Sequence, residues 1–290
     1  MRREFANICN QLVKDDENAV VLIGDISHYL LKETELSSPE RFYNVGICEQ
    51  SIISMASGMA LEGMRPIVHT IAPFIVERAN EQIKTDLGYQ HTDVTLVSVG
   101  GSYDYSDLGC THHCYGDIAL MRLIPNMEVY EPGTPEEFGK LFKQVWANGN
   151  PKYFRLSSHS HTQKLEVIPG EINLVRKSNN GRYVFVCGHL LDDVLEDKEI
   201  GVFYVSTLSH ISNQSIQNII DITKDCDSLY TVEDHFKIGG LGDLISQTFN
   251  KNVKRIGIDR KFLTNYGSYD DLRNDAKLDK KNILLKLKNG

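Results

Sequence analysis

A carboxylate at the mouth of a strand–helix turn is one of the few arrangements in this chain that could hold a proton for a reaction. The segment Arg41-Phe-Tyr-Asn-Val-Gly-Ile-Cys-Glu-Gln50 ends a strand at Gly46 and sets Glu49 at the opening of a helical run. Helix N-termini favour negative charge, so local physics admits two roles: a residue that stabilises the helix start, or a positioned acid–base group. A second cluster, Cys110-Thr-His-His-Cys114, mixes two thiols and two imidazoles. Structural zinc sites bring two separated ligand pairs to a tetrahedron. Adjacent His112 and His113 do not easily face one ion alongside both cysteines, so no metal is expected there.

The elements that would position these residues alternate. Ala19–Gly24, Phe42–Val45, Arg65–Thr70, Val94–Val99, Met127–Tyr130 and Tyr153–Leu156 read as short, β-branched or aromatic strands. Between them, Glu49–Glu62, Phe74–Leu87, Asp117–Leu123 and Pro135–Trp146 carry helical periodicity, with Gly63 as a C-cap. The N-terminus predicts an amphipathic helix with Phe5, Ile8, Cys9 and Leu12 on one face. From His159 to Gly181 the chain turns polar and irregular. The alternation then restarts with strands at Tyr183–Cys187, Gly201–Val205, Ser228–Glu233 and Val253–Ile258, and helices near Leu190–Glu196, Asn213–Thr223 and Gly239–Phe249. The expected fold class is α/β, with two domains, each a mainly parallel sheet flanked by helices. The expected boundaries are 1–160, a linker at 161–180, and 181–290.

With 290 residues, 41% of them hydrophobic and 24% charged, the composition is that of a globular protein. A formal net charge of −8 argues against non-specific nucleic-acid binding. No stretch approaches the run of about 20 apolar residues that spans a bilayer, and the N-terminus lacks a secretory apolar core. A cytoplasmic location is expected, with the six cysteines as free thiols.

The segment 41–70 resembles, residue by residue, the pyrimidine-binding domain of transketolases and 1-deoxyxylulose-5-phosphate synthases, whose pattern is R-[FY]-x-[ND]-V-G-I-x-E-Q. The likeness continues in Phe74–Ile83 and in Asp117–Met127. It returns in Thr231-Val-Glu-Asp-His-Phe-Lys-Ile-Gly-Gly-Leu-Gly242, similar to the T-V-E-[ED]-H-x-x-x-G-G-L-G signature of the transketolase C-terminal domain. The resemblance implies thiamine diphosphate, a cofactor that supplies a carbon nucleophile and an electron sink. It implies that Glu49 hydrogen-bonds N1′ of the aminopyrimidine, where Asp would be too short and Gln could not exchange the proton. It further implies that Phe74 stacks on that ring, that Ile71 and Arg78 lie in the cofactor pocket, and that His112 contacts the substrate near the reacting carbons.

Two departures from the family pattern carry information. Full-length members hold the diphosphate and Mg²⁺ through a G-D-G motif with a downstream Asn, and this chain has no Gly-Asp-Gly. A separate subunit is therefore expected to hold the diphosphate and Mg²⁺, in an α₂β₂ complex built on a homodimer. In the substrate loop, Leu108 stands where the family has an Asp, Ser158 where it has a phosphate-gripping Arg, and Gly100 where it has a His. Ser cannot replace an Arg fork. The expectation is a sugar whose far end is not a simple phosphate, or a phosphate gripped otherwise. The candidate substrate contacts are His112, His113, Asp107, Arg155 and Ser158, with His159 and His161 nearby. Ketol transfer between sugars is the leading function. The alternatives are the β subunit of a 2-oxo-acid dehydrogenase, a deoxyxylulose-phosphate synthase, and a non-catalytic partner subunit.

Overall fold

A computed structural model describes residues 1–226 and 228–289. The first sheet has six strands, all parallel: β1 (Ala19–Ile23), β2 (Phe42–Asn44), β3 (Arg65–Ile71), β4 (Thr95–Val99), β5 (Glu128–Tyr130) and β6 (Lys152–Leu156), in the order β2-β1-β3-β4-β6-β5. Every residue of β1 and β4 is buried, as expected of strands covered on both faces. Side chains alternate across a strand. Val21 and Ile23 therefore join the apolar layer under helix Arg2–Asp15, while Val20 and Leu22 join the layer under helix Glu49–Leu61.

The second sheet is formed by β7 (Ile172–Arg176), β8 (Arg182–Val186), β9 (Gly201–Val205), β10 (Ser228–Phe236) and β11 (Val253–Ile258), in the order β11-β10-β8-β9-β7. All its pairings are parallel except β7 with β9. Both apolar layers run on from the first sheet into the second. Backbone hydrogen bonds join the sheets, from Leu208 N to Val129 O (2.7 Å) and from Glu131 N to Ser206 O (2.9 Å).

Four features depart from the sequence reading, the first being the short helix Lys32–Ser37 between β1 and β2, which it did not foresee. The stretch expected to be irregular contains β7, a half-exposed edge strand whose polar residues hide its period. The C-terminal region adds helices Tyr269–Asp275 and Lys280–Asn289, the first opened by a Ser268–Asp271 capping box. The helix expected at Phe74–Leu87 is there but wound largely as π-turns, over Pro73–Arg78 and Ile83–Tyr89. Among the described residues no helix is long and apolar enough to cross a membrane.

Candidate active site

Glu49, Phe74 and His112 follow β2, β3 and β4, so all three stand beyond the carboxyl ends of parallel strands. The strand order reverses at β1, and open α/β sheets bind ligands at such a reversal. The turn that delivers Glu49 is built by its neighbours. The Asn44 side chain accepts from Gly46 N (3.2 Å) and Asp25 N (3.2 Å) and donates to Asp25 Oδ1 (3.1 Å). Gly46 has φ +78°, a left-handed value that glycine adopts without strain. Arg41, at the head of the same motif, donates to the carbonyls of Val13 (2.6 Å) and Asp16 (2.9 Å) at the end of the first helix. Its role is to anchor the turn against that helix.

Glu49 opens helix Glu49–Leu61 and is only 1% exposed. Its Oε2 accepts from Arg78 Nη1 at 2.6 Å, and its Oε1 is buried without a partner. A buried carboxyl oxygen left unpaired costs free energy, and it is the feature a ligand N–H or ring nitrogen would satisfy. The Arg78 guanidinium lies 4.4 Å from the centre of the Phe74 ring. Phe74 in turn meets the edge of His112 at 5.2 Å, and His112 meets Tyr105 at 6.2 Å. His112 is half-buried, with Nδ1 3.0 Å from Thr111 Oγ1. Ile71, buried at the end of β3, lines the turn into Phe74. Glu49, Phe74, Arg78 and His112 thus form one chain of contacts.

The residues expected to hold the far end of a substrate are dispersed. Arg155 is buried and committed: it donates to Asp117 Oδ2 (2.9 Å), Glu131 Oε1 (2.6 Å) and the Asp234 carbonyl (2.8 Å). Burial works against its charge, but the carboxylates of Asp117, Glu131 and Asp234 outweigh that and hold it protonated. It ties the two sheets together, with its side chain only 3% exposed. His113 is also buried, with Nδ1 2.7 Å from Tyr115 Oη, and burial lowers its basicity. It shapes the loop. His161 is buried against Glu137, and His159 stacks on Tyr269 at 3.7 Å. Asp107 and Leu108 are exposed on the loop. A side chain at Gly100 would strike the Tyr105 ring, 2.3 Å from its Cβ, so that ring excludes the family histidine.

Ser158 lines an open cleft of about 520 Å³ beside Arg2, Arg3, Glu4 and Tyr29, while His161 and His113 each border a separate cleft. Arg2 lies over the Tyr105 ring at 5.8 Å, which connects the cleft to His112. In the sequence the two arginines read only as the start of a helix, and no local motif marks them. Their place becomes visible only when the first helix packs against the end of β6.

The family model for the transketolase pyrimidine-binding domain matches residues 1–162. This chain belongs to the transketolase family. It is 31% identical, over 79% of its length and 76% of the relative's, to a subunit of the apulose-4-phosphate transketolase of Actinobacillus succinogenes. It is 28% identical to the 1-deoxy-D-xylulose-5-phosphate synthase of Thermus thermophilus, where the match covers 86% of this chain but 41% of that longer protein. Among solved structures, a split-gene transketolase described as an inactive β4 tetramer superposes with a TM-score of 0.84 at 22% identity. That match covers 99% of this chain and 96% of the other. At that identity the likeness speaks for the fold.

Proposed function

We propose that this transketolase-family chain is the pyrimidine-binding subunit of a split enzyme that transfers a two-carbon ketol unit between sugars. The observation that carries the reading is the Glu49 carboxyl, buried, with one oxygen engaged and the other unpartnered, beside Phe74 and His112. That set fits an aminopyrimidine: an acceptor for a ring-nitrogen proton, an aromatic face, and an imidazole in reach of substrate oxygens. When bound, thiamine diphosphate would supply the carbon nucleophile and electron sink. The chain's own work is to hold a proton at Glu49, to orient the ring through Phe74 and to steady substrate hydroxyls through His112.

No Gly-Asp-Gly motif occurs in the chain, so a separate subunit is assigned the diphosphate and Mg²⁺, in an α₂β₂ assembly. The relatives that are themselves single subunits of an apulose-4-phosphate transketolase support that division. The cleft of Arg2, Arg3 and Ser158, which Glu4 also lines, offers two guanidiniums to an anionic sugar end, and a sugar whose far end is not a simple phosphate stays the alternative. The test is Glu49→Gln in the reconstituted complex. Turnover should fall by at least about a hundredfold with the fold intact, the lower range for a positioned acid–base group. Near-normal turnover would reduce Glu49 to a helix-start residue.

A further inference from the structure

Arg78 makes two contacts at once: an ion pair with Glu49 Oε2 at 2.6 Å and a face contact with Phe74 at 4.4 Å. The inference rests on the reading above that Glu49 and Phe74 receive the aminopyrimidine. These are the same carboxyl and the same ring that the ligand requires, with Arg78 on Oε2 and with Oε1 left free. A guanidinium is planar and delocalised, donates N–H bonds from its edge and stacks on aromatic rings. It offers Glu49 and Phe74 what a protonated aminopyrimidine offers them.

We propose that Arg78 is an internal stand-in for the cofactor's pyrimidine: in the chain without its partner it occupies Glu49 and Phe74, and it swings out when the cofactor seats.

Three observations support motion of the arginine in particular. Its side chain is 39% exposed whereas that of Glu49 is 1%, so Arg78 has solvent to move into and Glu49 does not. It closes the π-wound turn Pro73–Arg78, and at Ala79 the backbone leaves helical values (φ −103°, ψ 19°). Single π-turns within helices recur at functional sites. Lastly, the pair keeps the buried carboxylate from standing alone, which would be costly in the unliganded chain. The device makes the empty subunit stable and makes cofactor binding displace an ion pair.

The opposite role is also testable: Arg78 could be a fixed support that steadies Glu49 or contacts the ligand. The probe is thiamine, which lacks the diphosphate and so reports on the pyrimidine half alone. Binding is measured by calorimetry on the full-length isolated chain, for the wild type, Arg78→Ala and Arg78→Gln, with urea unfolding as a check on the fold. The stand-in account expects Arg78→Ala to bind about tenfold more tightly than the wild type. Arg78→Gln, still a donor but uncharged, should fall between. The gain should vanish when Glu49→Gln is added. The same comparison on the reconstituted complex, with thiamine diphosphate and Mg²⁺, should show the same sign. Weaker or unchanged binding by Arg78→Ala in both settings overturns the stand-in and leaves the functional reading intact. If neither the chain nor the complex binds thiamine or its diphosphate in any variant, the functional reading falls, and the inference with it.

Discussion

Glu49 is held by a local device that the sequence displays almost in full. Asn44 fixes the turn, Gly46 supplies its left-handed residue, and Arg41 pins it to the first helix. Arg155 shows the opposite case. Its position after a strand reads equally as a ligand contact or as strand-end polarity, and only the packing of the second sheet decides, through the Asp234 carbonyl. Removing it should leave Asp117 and Glu131 buried without their counter-charge. Arg155→Ala is expected to cost about 3–5 kcal/mol in urea unfolding, the range for breaking a buried pair. A loss under about 1 kcal/mol would show that water replaces the guanidinium. The cleft arginines act on substrate and should behave differently. Arg2→Ala with Arg3→Ala should raise KM for a phosphosugar roughly tenfold or more, as lost hydrogen bonds to a charged group do, while kcat changes little. An unchanged KM would remove these arginines from the site.

Among the elements, most strands of both sheets and most helices between them, though not the short helix Lys32–Ser37, were legible because buried parallel strands and amphipathic helices leave contrasting periods. The edge strand β7 was not, since its half-exposed residues alternate weakly. The π-winding of Pro73–Arg78 was not legible either, because it changes the hydrogen-bond step without changing the residues' polarity. The candidate site divides in the same way. Glu49, Phe74 and His112 lie in motifs continuous in sequence, whereas Arg2, Arg3 and Tyr105 meet only through tertiary packing. The turn before Glu49 can be tested as an element. Gly46→Ala meets no neighbour within 4 Å but must adopt φ +78°. The expected cost is about 1–2 kcal/mol, together with weakened thiamine binding as the helix start shifts. If unfolding and binding are both unchanged, the turn does not position the carboxyl.

At the scale of the molecule, three buried imidazoles set an acid limit. Burial lowers His69, His189 and His235 each to about 4, from 6.5. The unfolded chain therefore takes up these protons first as pH falls. Their contribution to stability is complete above about 6.5 and is lost as pH drops toward 4. Glu233, raised by burial to about 8 from 4.5, acts in the other direction: its contribution is complete below 4.5 and is lost as pH rises toward 8. Asp234, also raised by burial, shares that sign. With His113 also lowered and Glu77 also raised by burial, four imidazoles against three carboxyls predict a net fall in the urea midpoint from pH 6.5 to 4.5, and a flat or rising midpoint would contradict the assignment. The assembly itself is the larger claim, since the chain carries the carboxyl and aromatic face for the pyrimidine but no diphosphate motif. The most direct measurement is calorimetric titration of thiamine diphosphate with Mg²⁺ into the isolated chain, the isolated partner subunit and their mixture. Tight binding in the mixture, with weak or undetectable binding to this chain alone, is the predicted result. Tight Mg²⁺-dependent binding to this chain alone would contradict the shared site.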